Sequence, residues 1–216
     1  CNLGVKRNMC GISGIIGASA VNPAAVAAMN SIQAHRGPDG ERIWHSDDRK
    51  VCLGHRRLAI LGLGEAGEQP MHSADKFLTI TFNGEIYNYR ELRETLRDFG
   101  VTFHTSTDTE VLLAAYANWG ESCVEKLNGM FAFAIYDARK RILFCARDRF
   151  GEKPFLFAEP KGSFVFASEY KGLFVVSGIS VEANTSKMLQ FCIDPTNALD
   201  QSEATLFDDI KALPPG

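Results

Sequence analysis

The sequence predicts an α+β fold in which helices cover the outer faces of two antiparallel sheets. Residues 130–135 alternate between bulky and small apolar side chains, and a polar turn at 137–140 leads into a second apolar run at 142–146. Such alternation on either side of a short turn is typical of a β-hairpin. Predicted helices fall between groups of predicted strands, which favours helices outside paired sheets.

The amino-terminal part of the chain predicts strands separated by one helix. The glycine-punctuated apolar run 10–17 predicts a buried strand, and Asn22-Pro23 predicts a helix start with proline at its first position. The expected apolar face of that helix comprises Ala25, Ala28, Met29 and Ile32. Further strands are expected at 42–46, 51–61 and 77–82.

Two capping patterns predict helices in the middle of the chain. Asn88 with Glu91 begins one helix, and Thr107 with Glu110 begins the other. Glycines close both of them, and their apolar faces carry Leu92, Leu96 and Phe99 in the first and Leu112, Ala115, Tyr116 and Trp119 in the second. Short strands at 155–158 and 164–167 follow the hairpin.

Composition narrows the function classes. The chain has 216 residues, 45% of them hydrophobic, and a net charge of −3, so nothing directs it to nucleic acid or an anionic membrane. No apolar run approaches the roughly 18 residues of a membrane span. Residues 1–9 lack the apolar segment of a signal peptide. We therefore expect a cytoplasmic protein.

The six cysteines predict neither a disulfide framework nor a metal site. No two of them form a Cys-x-x-Cys pair, and the five histidines are scattered without ligand spacing. Cys52 and Cys145 each lie in an apolar strand-like run, so we expect them in the core.

Cys10 is the candidate nucleophile because a glycine-rich strand follows it and Met9 precedes it directly. A thiol with an ordinary pKa of ~8.5 needs a base, and a free α-amine with a pKa of ~7.7–8.0 can be that base. Residues 1–9 are therefore predicted to be a leader that is removed, or to lie upstream of the true start. Cys1 is a rival terminal nucleophile, but no strand pattern follows it.

Ten colinear segments resemble the amino-terminal glutaminase domain of glutamine-dependent asparagine synthetases. Each segment alone is weakly specific, whereas their order along residues 9–176 and at the carboxyl end is strongly so. They are MCGI (9–12), HRGPD (35–39), GHRRLAI (54–60), QPM (69–71), FNGEIYNY (82–89), STDTEV (106–111), LNGMFAFA (127–134), RDRFGEKP (147–154), ASEYK (167–171) and LPPG (213–216).

The resemblance implies a four-layer αββα sandwich of the N-terminal-nucleophile hydrolase type. It divides the chain into the leader 1–9, a glutaminase domain at 10–183 and a connector at 184–216. It implies L-glutamine as substrate, with Cys10, Asn83 and Gly84 catalytic, the last two forming an oxyanion hole. The substrate-binding residues that it implies are Arg57, Leu58, Ala59, Ile60, Leu61, Asn83, Gly84, Glu85, Asn88 and Asp108.

Each of these residues also has a plain structural interpretation. Arg57, which the resemblance assigns to the substrate carboxylate, could be a surface-paired arginine, and Asn83-Gly84 could be a turn. Asp108, assigned to the substrate ammonium with Glu85 assisting, could be a helix-cap carboxylate. For His55 we expect a structural role and not that of a catalytic base. We likewise expect Arg147, Asp148 and Lys153 to form a structural or domain-contact cluster.

The resemblance also implies a partner. The related synthetases continue after the LPPG segment into an ATP-pyrophosphatase domain, whose pyrophosphate-binding loop does not occur in these 216 residues. That domain, in cis or in trans, would need ATP and Mg²⁺, whereas the glutaminase half needs no metal or cofactor. A homodimer is compatible with the resemblance. Two alternatives stay open: the same domain serving another acceptor, such as a sugar or an antibiotic precursor, or a silent regulatory module.

Overall fold

The computed structural model describes residues 9–59, 65–195 and 202–216 of the chain. The ten strands in this part are β1 Gly11–Gly17, β2 Gly40–His45, β3 Val51–Arg57, β4 Met71–His72, β5 Leu78–Ile86, β6 Gly129–Asp137, β7 Ile142–Arg147, β8 Leu156–Ala158, β9 Ser163–Ala167 and β10 Ile210–Ala212. The α-helices in the same part are α1 Pro23–Ile32, α2 Tyr89–Asp98, α3 Asp108–Trp119, α4 Tyr170–Phe174 and α5 Thr185–Ile193.

Two antiparallel sheets form the centre of the fold. Sheet A has the strand order β10-β8-β9-β1-β3-β2, and sheet B has the order β4-β5-β6-β7. One apolar core lies between the sheets, a second between sheet A and the helices α1 and α4, and a third between sheet B and the helices α2 and α3. The predicted α+β fold with two antiparallel sheets and outer helices is confirmed. Within the described residues, no helix is long and apolar enough to span a bilayer.

Strand β6 shows how the alternating pattern separates two of these cores. Phe131, Phe133 and Ile135 face α2 and α3, whereas Ala132 and Ala134 face sheet A together with Tyr136. Successive side chains of a strand point to opposite faces, so the bulky residues fill the helix side and the small ones let the sheets approach. The predicted hairpin of β6 and β7 is present.

The buried face of α1 differs from the prediction. Val26, Met29 and Asn30 are buried, whereas Ile32 is 39% exposed and Ala28 is exposed. The buried face includes a polar residue because the Asn30 amide is satisfied there: its Oδ1 accepts a hydrogen bond from Ser13 Oγ (2.8 Å). A pattern of apolar residues alone could not locate this face.

Strand ends differ from the prediction near the two most informative motifs. Strand β3 ends at Arg57 rather than at residue 61, and residues 60 and 61 lie outside the described part of the chain. Strand β5 continues to Ile86, so Asn83 and Gly84 pair with β6 and do not form a turn.

The two predicted caps have different outcomes. Thr107 caps α3 by accepting a hydrogen bond from the Glu110 amide (3.3 Å), as predicted. The cap by Asn88 is wrong, because its side chain makes no cap hydrogen bond. Instead, Asn88 Nδ2 donates to the Lys126 carbonyl (3.0 Å) and its Oδ1 accepts from the Asn128 amide (2.9 Å).

The carboxyl end of the described chain joins sheet A. Strand β10 pairs with β8 at the sheet edge, and the Leu213 amide donates to the Phe155 carbonyl (2.9 Å). Residues 210–213, which the resemblance placed in a connector, thus extend a sheet of the glutaminase fold.

Candidate active site

Cys10 lies immediately before β1 and is partly buried. Its Sγ accepts a hydrogen bond from the Leu58 amide (3.4 Å) and lies 3.6 Å from the Leu58 carbonyl oxygen. Burial raises the pKa of the Cys10 thiol, while the Leu58 amide and the positive charges of Arg36 and Arg57 lower it. Asp108 acts in the raising direction.

The HRGPD loop holds the Cys10 backbone. Arg36 Nε donates to the Cys10 carbonyl (3.0 Å), and Arg36 Nη1 donates to Glu169 Oε1 (3.0 Å). Burial alone would raise the pKa of Glu169, but hydrogen bonds from Arg36, His35 and Lys171 hold it below its ordinary value. Ser168 fastens β1 next to this contact, since its Oγ accepts from the Ile12 amide (3.0 Å).

The same loop also positions the segment that carries Arg57 and Leu58. Asp39 Oδ2 accepts a hydrogen bond from the Ala59 amide (2.8 Å), and the Asp39 amide donates to the Arg57 carbonyl (3.0 Å). Gly37 packs against the backbone of residues 56 and 57, where a Cβ atom would lie 2.4 Å from the Arg56 carbonyl carbon. Only glycine permits this approach, so the HRGPD loop sets the distance between the thiol and its neighbours.

A cleft opens beside the thiol. Six of the residues predicted for the site line it: Cys10, Arg57, Leu58, Gly84, Glu85 and Asp108. The remaining lining residues, which sequence reasoning did not assign to the substrate, are His55, Gly67, Gln69, Phe82, Thr107 and Thr109. Segments that are far apart in sequence thus meet at one place.

Asn83 lies between two lining residues of β5 and is 1% exposed. Strand alternation puts its side chain on the face of Thr81, whose Oγ1 donates across to the Gly54 carbonyl of sheet A (3.0 Å). Within the described part of the chain, Asn83 Nδ2 is buried and has no hydrogen-bond partner. A buried amide donor without a partner costs about 1–3 kcal/mol, which needs an explanation.

Gly84 is required by the packing of β5 against β6. A Cβ atom at this position would lie 2.2 Å from the Met130 carbonyl oxygen. The absence of a side chain also leaves the Gly84 backbone accessible from the cleft, which it lines.

Asp108 provides a buried carboxylate at the other side of the cleft. It is 5% exposed, its Oδ2 accepts a hydrogen bond from the Ile86 amide (3.1 Å), and burial raises its pKa. Among the described residues, no cationic side chain lies within salt-bridge distance of it. A ligand bound in the cleft can therefore supply the cation that pairs with Asp108.

Gln69 reaches the cleft from the QPM segment. Its Oε1 accepts a hydrogen bond from the Phe82 amide (2.6 Å) and its Nε2 donates to Thr109 Oγ1 (3.3 Å). It thereby joins β5 to the start of α3, the two elements that carry Asn83 and Asp108.

His55 is a neutral, buried histidine. It is 1% exposed, and its Nε2 lies 3.1 Å from the Phe82 carbonyl oxygen of the opposite sheet. Burial lowers its pKa to about 4, and the charges of Arg57 and Arg56 act in the same direction. These contacts fit the structural role that the sequence predicts for it.

Several predicted site residues are not brought into the cleft lining. Ala59, Asn83 and Asn88 are absent from it. The Ala59 amide donates to Asp39, Asn88 hydrogen-bonds to the 126–128 segment, and Asn83 is buried in β5. Ile60 and Leu61 lie outside the described residues, as do residues 1–8 of the predicted leader.

The RDRFGEKP segment forms a tight loop, which the hydrogen bonds of Asp148 and Arg147 close. Asp148 accepts hydrogen bonds from the amides of Phe131, Phe150, Glu152 and Lys153. Arg147 donates to the carbonyls of Gly151, Lys153 and Leu213. These contacts support the structural role expected for Arg147 and Asp148. Within the described residues, no group of three His, Cys, Asp or Glu side chains could hold a metal ion.

Residues 9–216 match the family model of the glutamine amidotransferase domain. The chain belongs to this family. Asparagine synthetase [glutamine-hydrolyzing] 1 of Bacillus subtilis (strain 168) is 40% identical over 217 residues, which cover 96% of this chain and 33% of that protein. Asparagine synthetase [glutamine-hydrolyzing] 3 of the same organism is 36% identical, over 96% of this chain and 34% of that protein.

A solved structure supports the fold of this amidotransferase domain. The glutamine phosphoribosylpyrophosphate amidotransferase from B. subtilis superimposes with a TM-score of 0.66 at 25% identity, over 77% of this chain and 43% of that one. The predicted N-terminal-nucleophile hydrolase type of fold is thereby confirmed, as is the resemblance to the glutaminase part of asparagine synthetases. The chain spans about a third of the length of the curated relatives.

Proposed function

We propose that this amidotransferase domain hydrolyses L-glutamine to glutamate and ammonia, with Cys10 as nucleophile. The observation that carries the proposal is the buried Asn83 Nδ2, which has no partner among the described residues and lies on a strand that lines the cleft of Cys10. A donor kept without a partner costs stability, and an oxyanion that forms during acyl transfer would satisfy it. The Gly84 amide is the second donor.

The charges of the cleft match the two ends of the substrate. Arg57 binds the α-carboxylate, for which a guanidinium is the best partner. Asp108 binds the α-ammonium, with Glu85 assisting. This ion pair stabilises the charged form of Asp108, which burial disfavours. Leu58 to Leu61 and Asn88 complete the proposed pocket.

The proposed reaction has two steps. The Cys10 thiol loses its proton to the α-amine of Cys10, and the sulfur attacks the side-chain amide carbon of glutamine. The C–N bond then breaks, ammonia leaves with that proton, and a thioester forms between Sγ and the γ-carbonyl. Water attacks the thioester, which releases glutamate and restores the thiol. The nitrogen of Cys10 is basic only when Met9 is no longer attached to it.

The test compares two forms of the protein. We expect the protein that starts at Cys10 to release glutamate from glutamine and to be labelled at Cys10 by a glutamine-analogue diazoketone. The protein that retains Met9 is expected to be inactive, as is Cys10→Ala in the shorter form. If the shorter form neither turns over nor takes the label, the proposed function is wrong.

We further propose that the ammonia serves asparagine synthesis. The curated relatives are named asparagine synthetases and are about three times as long as the matched region, so an ATP-pyrophosphatase domain in cis or in trans is the expected partner. The amidotransferase half would work without a cofactor, and ATP and Mg²⁺ would act only in the synthetase half. A cytoplasmic location and a homodimer belong to the same proposal.

A further inference from the structure

Lys153 is a buried cation for which the proposed function has no use so far. The residue is 7% exposed, although it lies in the loop between β7 and β8. The contact made by its Nζ is with Met9 Sδ, 3.4 Å away. A thioether is a weak acceptor, and no carboxylate among the described residues lies within salt-bridge distance of this ammonium.

The backbone around Lys153 holds it in place. Its amide donates to Asp148 Oδ2 (3.0 Å) and its carbonyl accepts from Arg147 Nε (2.7 Å). Because Asp148 receives four backbone amides, its carboxylate is occupied and does not pair with the ammonium. The RDRFGEKP loop thus holds Lys153 against Met9, the residue that precedes Cys10.

Such an arrangement costs stability, because burying a cation without a partner is unfavourable. Burial lowers the pKa of Lys153, Arg36 lowers it further, and the charges of Glu152, Asp148 and Cys10 raise it. Around Cys10 itself, the charged groups are Arg36, Arg57 and Asp108. Perturbed pKa values of this kind cluster at functional sites.

We propose that the Lys153 ammonium faces the amino group that Cys10 carries as an amino-terminal residue, and that it keeps this amino group unprotonated and basic. The inference rests on the proposed function of Cys10. Once Met9 is absent, the α-amine and the lysine ammonium are neighbouring like charges, which disfavours protonation of the amine. Lys153 is thus a positioning residue for the base and not itself a catalytic residue.

The separation between Lys153 Nζ and the Cys10 nitrogen is short enough for a measurable shift in the pKa of the amine. Lys153 Nζ lies 3.4 Å from Met9 Sδ. Five covalent bonds separate that sulfur from the Cys10 nitrogen, so the two nitrogens are within about 10 Å of each other. At an effective dielectric constant of about 20, unit charges at that separation shift each other's pKa by about one pH unit or more.

The first experiment titrates the amine without relying on catalysis. Three proteins that start at residue 10 and carry Cys10→Ala are prepared, one with no further change, one with Lys153→Met and one with Lys153→Arg. The pH dependence of acetylation of the terminal amine is read by mass spectrometry of the amino-terminal peptide. We expect Lys153→Met to raise the amine pKa by about one pH unit and Lys153→Arg to leave it unchanged.

The second experiment measures glutaminase activity with Cys10 in place. The acid limb of kcat/KM should move up by about one pH unit in Lys153→Met, so that activity at pH ~6.5 falls about tenfold and recovers near pH ~9. Lys153→Arg should keep the parent profile.

The outcomes separate the inference from the proposed function. An unchanged amine pKa in Lys153→Met overturns the inference, and an equal shift in Lys153→Met and Lys153→Arg overturns it as a packing effect. Lys153→Gln replaces Lys153→Met if the latter does not fold. If every Cys10 protein is inactive, the proposed function fails, and the acetylation titration still decides whether Lys153 acts on the amine.

Discussion

Asn83→Ala tests the oxyanion hole on which the proposed function depends. The substitution removes the Nδ2 donor and leaves the β5–β6 backbone pairing of residue 83 with Ala132 in place. Loss of one oxyanion donor typically lowers kcat by about 10²–10³, which corresponds to about 2.7–4 kcal/mol in the transition state. Because that donor acts on charge that develops during the reaction, KM should change little and kcat/KM should fall with kcat.

The stability of the same variant is expected to change little. Asn83 Nδ2 has no partner among the described residues, so deletion forfeits no hydrogen bond from this atom. Relief of an unpaired buried donor, worth about 1–3 kcal/mol, offsets the packing lost with the side chain. We therefore expect the free energy of unfolding to stay within about 1 kcal/mol of the parent, as measured by urea titration.

Thr81→Val is the matched control for this variant. It lies on the same face of β5 and loses the hydrogen bond to the Gly54 carbonyl. It should therefore lose about 1 kcal/mol of stability and keep its kcat. The reasoning is refuted if Asn83→Ala keeps kcat within about threefold of the parent, because deletion of an oxyanion donor typically lowers kcat by about 10²–10³.

Three further outcomes follow from the structure. Arg57→Gln should raise KM for glutamine about tenfold or more and change kcat less, since a carboxylate clamp binds substrate and transition state alike. His55 has a pKa of about 4 in the folded protein and an ordinary value of 6.5. The unfolded chain therefore binds the proton first, and the parent should lose roughly 3 kcal/mol of stability as pH falls from ~6.5 to ~4. His55→Gln should not show this part of the loss in acid titrations. Gly37→Ala should lower the melting temperature strongly and Gly40→Ala only slightly, since the new Cβ atoms would lie 2.4 Å from backbone and 3.6 Å from a side chain respectively.

The fold could be predicted from the sequence where the type of each residue alone decides which core it faces. In β6, alternation between Phe and Ala is enough to assign each face to its core. In α1 the same reasoning failed, because Asn30 is buried through a hydrogen bond to Ser13, which lies on another element. Burial of a polar residue depends on a partner that periodicity cannot identify.

Gln69 shows the same limit at the site. Strands β4 and β5 pair Met71 with Ile80, and continuing that register would place residue 69 opposite Phe82. The strand stops before this position, and the Gln69 side chain accepts the Phe82 amide in place of a backbone carbonyl. A side chain that takes the place of a strand residue leaves no periodic pattern in the sequence, so the sequence indicates Gln69 only as part of the QPM segment.

Substrate binding should change the reactivity of the nucleophile through Asp108. Burial raises the pKa of the Cys10 thiol, and the negative charge of Asp108 acts in the same direction, whereas Arg36 and Arg57 oppose them. When the α-ammonium of glutamine pairs with Asp108, the raising effect of that carboxylate is neutralised, so the thiol becomes easier to deprotonate when substrate is present. Asp108→Asn should therefore shift the pH midpoint of Cys10 alkylation by iodoacetamide downward in the free protein, while it weakens glutamine binding. An unchanged midpoint would show that Asp108 binds substrate without any electrostatic effect on the thiol.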